Sequence, residues 1–164
     1  MTGIIIENKK NIHDMIIHII NHCTDINRLL VMPNWREDYH SDTTDQSLYT
    51  LLETINRTYN DKNKIHVKCV DHTYWHIPPH TVTILDSVCK RFEYLFRKGC
   101  KLIITDDMFI DMCMGKYYLG TEILSTYDFI ILCEDDIKKN DCLHYIQQLK
   151  SVGITIHGTV EKMD

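Results

Sequence analysis

Two short apolar runs, each ending on a cluster of carboxylates, constrain this chain more than anything else in it. Lys101-Leu102-Ile103-Ile104-Thr105 leads into Asp106-Asp107, and Asp128-Phe129-Ile130-Ile131-Leu132-Cys133 leads into Glu134-Asp135-Asp136. Unbroken runs of β-branched, aliphatic and aromatic residues suit strands buried on both faces, as in a parallel sheet covered by helices.

The rest of the chain supplies partners for such strands. Further strands are expected at 3–6, 28–32, 64–70 and 154–157. Helices are expected at about 9–23, 44–59, 84–98 and 140–151. In the first, Ile12, Met15, Ile16, Ile19, Ile20 and Cys23 make one apolar stripe, with Asp14, His18 and His22 on the other face. In the second, Thr44 or Asp45 is the expected cap and Leu48, Leu51, Leu52 and Ile55 the buried side. Gly99 stops the third, and Asn140 caps the fourth, with Cys142, Leu143, Ile146 and Leu149 inward and Gly153 as its stop. Residues 107–124 read in two ways. The strand chemistry of Tyr117-Tyr118-Leu119 and Thr121-Glu122-Ile123 favours a β-hairpin over a helix at Asp107–Met114 capped by Gly115.

The expected fold class is therefore α/β. A single domain over 1–164 would form a three-layer α/β/α sandwich. Its central sheet is mainly parallel with about five strands, and a β-hairpin-like insert is added. In open α/β sheets ligands bind beyond the carboxyl ends of the strands. That rule gathers the loops 33–43, 71–80, 106–108 and 134–139.

Composition narrows the class of function. A net charge of -5, with scattered basic residues, argues against a general nucleic-acid binder. No run approaches the roughly 18 apolar residues that span a bilayer, so no membrane partner is expected. The start, Met1-Thr2-Gly3-Ile4-Ile5-Ile6, is too short and too uncharged for a secretory leader. Seven cysteines at wide spacings then read as reduced, buried thiols in a cytoplasmic, reducing compartment. The chain has no alanine, although alanine is the best helix former. Codon bias in an AT-rich genome, such as a parasite, a bacterium or a large DNA virus, accounts for that.

Several chemistries lack their motif. No G-x-G-x-x-G, G-x-x-x-x-G-K-[ST] or G-x-S-x-G occurs. His22-Cys23-Thr24-Asp25-Ile26-Asn27-Arg28 approaches the phosphate loop of cysteine phosphatases, but it is one residue short and lacks glycine, and Cys23 fits a helix stripe. The order of elements from 9–23 to 140–151 resembles a half-domain of the phospholipase D superfamily. His66-Val67-Lys68 matches the start of that family's H-x-K-x4-D motif, while Thr73 stands where the acid belongs. The resemblance implies a fold without the catalysis.

Three site readings remain. Asp106, Asp107, Glu134, Asp135 and Asp136 are the catalytic candidates for a divalent-metal phosphodiesterase or nuclease, in which Mg²⁺ would be held by carboxylate oxygens. The plain alternative is helix capping and a solvated strand edge. His72, His76 and His80, near His66 and Cys69, have donors for Zn²⁺, although Pro78-Pro79 deny them helical spacing. Trp35, Tyr39, Trp75, Tyr117 and Tyr118 are large aromatics in loops or the insert, where interface anchors often sit. No complete catalytic constellation appears. The leading expectation is a cofactor-free, non-enzymatic module that binds a protein partner or its own copies, with the metal-dependent phosphodiesterase second.

Overall fold

In a computed structural model, the structure describes residues 1–7, 9–23, 25–33, 50, 52–58, 66–69, 93–94, 99–116 and 120–163. They fall in two compact units, Met1–His76 and Ile77–Asp164.

The first unit begins with β1 (Thr2–Glu7), then α1 (Lys9–His22), β2 (Arg28–Pro33) and β3 (His66–Cys69). β2 pairs with both β1 and β3, parallel in each case. The apolar stripe of α1 is buried as its spacing requires, through Ile12, Met15, Ile16, Ile19 and Ile20. Ile4 and Ile5 of β1 and Leu29, Leu30 and Val31 of β2 complete this core. Cys23, just past the helix, is buried with them, as expected of a core residue. His18 departs from the expected polar face: it is buried, and its ring lies 4.5 Å from that of exposed His22. Residues 50 and 52–58 are helical, with Leu52 and Ile55 inward.

The second unit runs β4 (Lys101–Thr105), α2 (Asp106–Cys113), α3 (Gly120–Thr126), β5 (Asp128–Cys133), α4 (Asp136–Ser151) and β6 (His157–Lys162). β4 and β6 both pair with β5, and both pairings are parallel. The two carboxylate-tipped runs are β4 and β5. Leu102, Ile103 and Ile104 of β4, and Phe129 to Cys133 of β5, are essentially sealed from solvent. The α/β class, three-layered with a mainly parallel sheet, stands. Among the described residues no helix is long and apolar enough to cross a membrane.

Three expectations are corrected here. Helices stand at Asp106–Cys113 and Gly120–Thr126 in place of the expected hairpin: Thr105 caps α2 by accepting from the Met108 amide, and Met108, Phe109 and Met112 form its buried stripe. Gly115, at φ 78°, follows the end of α2 in the left-handed region that only glycine occupies freely. The fourth helix starts at Asp136 because Asp135, not Asn140, is its cap, and Leu143 is 46% exposed rather than inward. The last strand starts at His157, not Ile154. Gly153 (φ 85°) ends α4, and the Ile154 amide turns back onto the Leu149 carbonyl at 2.9 Å, so the chain needs 154–156 to return to the sheet.

Candidate functional site at the carboxyl edge

Parallel pairing places the carboxyl ends of β4, β5 and β6 side by side. The register sets Thr105 beside Leu132, and Cys133 beside Lys162. Every carboxylate singled out in the sequence lies just beyond these ends, and each has a different environment.

Asp106 is 4% exposed. Its Oδ1 accepts from the Asp107 amide at 2.6 Å, and its Oδ2 from the Glu134 amide at 2.9 Å. A buried carboxylate needs such donors, because an unpaired charge there would be costly. The two bonds tie the start of α2 to the turn after β5. Asp107 points outward and pairs with Lys138 of α4, Nζ to Oδ1 at 3.0 Å. The hydrogen bond that the Lys138 ammonium donates to Asp107, then the negative field of Asp107, then the fields of Asp106 and Asp141, hold the Lys138 pKa above its ordinary value. Asp135 accepts from the Lys138 amide at 2.8 Å and so caps α4. Asp136 faces Lys162 of β6 at 3.4 Å. Glu134 is exposed.

Thiols lie directly beneath this edge. Cys133, the last residue of β5, and Cys142 of α4 are both fully buried, and their thiols share a hydrogen bond, Sγ to Sγ at 3.8 Å. That hydrogen bond first, then burial, push the Cys142 thiol far up from its usual range. Burial also pushes Cys113 up to about 11 and Cys100 to about 12. No disulfide joins the cysteines among the described residues.

The carboxylates therefore do not converge on one cation. Among the described residues no group of three or more His, Cys, Asp or Glu side chains is placed to hold a metal ion. Asp106 spends its oxygens on backbone amides, and Asp135 caps a helix. His72, His76, His80, Trp35, Tyr39, Trp75, Tyr117 and Tyr118 lie outside the described residues, as do the loops 34–43 and 71–80. Lys138 and Lys162 are the edge residues that sequence reasoning missed. Each meets its acid across 31 and 26 residues of chain, respectively, and no local spacing announces such a pair.

No protein-family model matches the chain, and no curated protein matches its sequence. Its backbone is similar to solved structures of the nicotinic acid mononucleotide adenylyltransferase of Plasmodium falciparum. The structure complexed with APC has a TM-score of 0.62 at 12% identity, covering 99% of this chain and 74% of that one. The structure complexed with NaAD has a TM-score of 0.57 at 13% identity, covering 99% and 76%. At such identity the likeness is one of fold. It nevertheless corrects the functional expectation. The chain shares its fold with an adenylyltransferase, and that finding overturns the expectation of a non-enzymatic, self-associating binding module.

Proposed function

We propose that this chain is a nucleotidyltransferase that joins an adenylyl group to the phosphate of a mononucleotide at the carboxyl edge of β4, β5 and β6. The observation that carries the reading is the fold likeness to an adenylyltransferase over 99% of the chain. The position of the edge agrees with it, because parallel α/β sheets bind ligands beyond their strand ends.

The reaction forms one bond and breaks one. A phosphate oxygen of the mononucleotide attacks the α-phosphorus of ATP, the α–β bridge breaks, and pyrophosphate leaves. Such transfers depend on positioning and on stabilising negative charge. Asp106 supplies rigidity by holding the turn at Glu134 to the start of α2. Lys138 and Lys162 supply positive charge. Their partners Asp107 and Asp136 are 74% and 77% exposed. Exposed pairs are worth only about 0–1 kcal/mol, so either ammonium can turn to a phosphate at small cost. Such an enzyme, with buried thiols, fits an intracellular, reducing compartment.

The test is incubation of the full chain with ATP, as its magnesium salt, and nicotinic acid mononucleotide, followed by chromatography and mass spectrometry. Dinucleotide and pyrophosphate are expected in equal amounts. No product, together with no heat of ATP binding at millimolar concentration, would overturn the reading.

A further inference from the structure

The proposed transfer leaves the pair of thiols under the edge without a role. Cys133 closes β5 immediately before Glu134, and Cys142 lies in the second turn of α4, seven residues after its Asp135 cap. Their sulfurs are in van der Waals contact at 3.8 Å, and neither residue is exposed. A disulfide needs about 2.05 Å between sulfurs, a gap that small side-chain rotations bridge when two thiols already face each other. We propose that Cys133 and Cys142 are a redox-sensitive lock, which closes to a disulfide under hydroperoxide and bolts α4 to the end of β5.

The chemistry balances in two steps. One sulfur attacks the O–O bond of hydrogen peroxide, becomes a sulfenic acid and releases water. The second sulfur displaces the sulfenic hydroxyl, an S–S bond forms, and a second water leaves. Two thiols lose two electrons and two protons in all, and the peroxide receives them. Burial sets the rate. The thiolate is the reactive form, and this site disfavours it. Oxidation therefore waits on a local opening of α4, which makes the lock slow and dependent on peroxide dose. The same burial shields the sulfenic acid from further peroxide, so the neighbouring thiol captures it before over-oxidation. Cross-linking does not depend on the activity proposed above. Control of the nucleotide edge does rest on that reading, because α4 carries Lys138 and Asp136.

The experiment titrates the native full chain with hydrogen peroxide, blocks residual thiols by alkylation, and maps peptides by mass spectrometry. The expected result is loss of two hydrogens and one cross-linked peptide pair containing Cys133 and Cys142, reversed by dithiothreitol. The oxidised chain should melt roughly 5 °C higher, since a cross-link restricts the unfolded state. Cys133→Ser and Cys142→Ser should each remove the cross-link. If a variant fails to fold, the map of the unmodified chain decides alone. A cross-link between any other pair, irreversible sulfinic acid at either position, or two reduced thiols at excess peroxide would overturn the proposal.

Discussion

Asp106 reaches across 28 residues of sequence to hold the backbone of Glu134, its Oδ2 accepting the Glu134 amide at 2.9 Å. The other carboxylate oxygen accepts from Asp107, so one buried side chain joins the ends of the two central strands. Replacing it by alanine leaves two amides without that acceptor. Asp106→Ala should lower unfolding free energy by about 2–3 kcal/mol, and Asp106→Asn by less, because one carbonyl oxygen remains. Urea unfolding of both variants checks the order. An alanine variant as stable as the parent would mean that solvent replaces the carboxylate without loss.

Gly158 is where β6 comes closest to β5. A Cβ built there would run into the Phe129 carbonyl oxygen and stand 3.0 Å from Phe129 Cβ. Backbone cannot yield as a flexible side chain does, so Gly158→Ala should cost about 3 kcal/mol, near the upper end for overpacking. Thermal denaturation would show it. A cost under about 0.5 kcal/mol, the range of neutral surface changes, would mean that the two strands part freely.

The fold class was legible because the evidence for it is local. A run such as Phe129 to Cys133 is buried whatever surrounds it, and the spacing from Ile12 to Ile20 can face only one way. Over 107–124 the β-propensity of Tyr117-Tyr118-Leu119 competes with cap chemistry, and the cap prevails at Asp106–Cys113. Thr105 three residues before Met108, acids in the first turn, and apolar residues at 108, 109 and 112 all mark a helix. The site was only half legible. Its acids stand where strand-end reasoning puts them, but their roles depend on Lys138, Lys162 and the Glu134 amide, which topology alone delivers.

Asp135 should act on stability through α4 alone. Its side chain accepts the Lys138 amide at 2.8 Å with extended backbone at φ -150°, as a helix cap does. Asp135→Ala should cost about 1 kcal/mol, and Asp135→Asn or Asp135→Ser much less. Circular dichroism during urea unfolding distinguishes these variants. Equal losses in all three would show that charge, not capping, is the source.

High pH should weaken the fold through buried Cys100 and half-buried Cys113. In the unfolded chain a cysteine loses its proton near 9.0, whereas burial holds Cys100 protonated to about 12 and Cys113 to about 11. Above pH 9 the folded state therefore binds more protons than the unfolded state, and stability falls as pH rises. The contribution is intact below about pH 9 and declines by on the order of 1 kcal/mol per pH unit for buried Cys100, and by less for half-buried Cys113, whose charge solvent screens. Urea midpoints at pH 8, 9 and 10 should fall accordingly, and Cys100→Ala should flatten the decline. Unchanged midpoints would contradict the burial of these groups.

Hydrogen exchange with and without nucleotide tests the central claim most directly. On addition of ATP and nicotinic acid mononucleotide, amides at 106–108 and 134–138 should slow, because the ligand would cover the edge that these residues form. Protection confined to the opposite, amino-terminal ends of β4 and β5, or no change at ligand concentrations that saturate binding, would contradict the account.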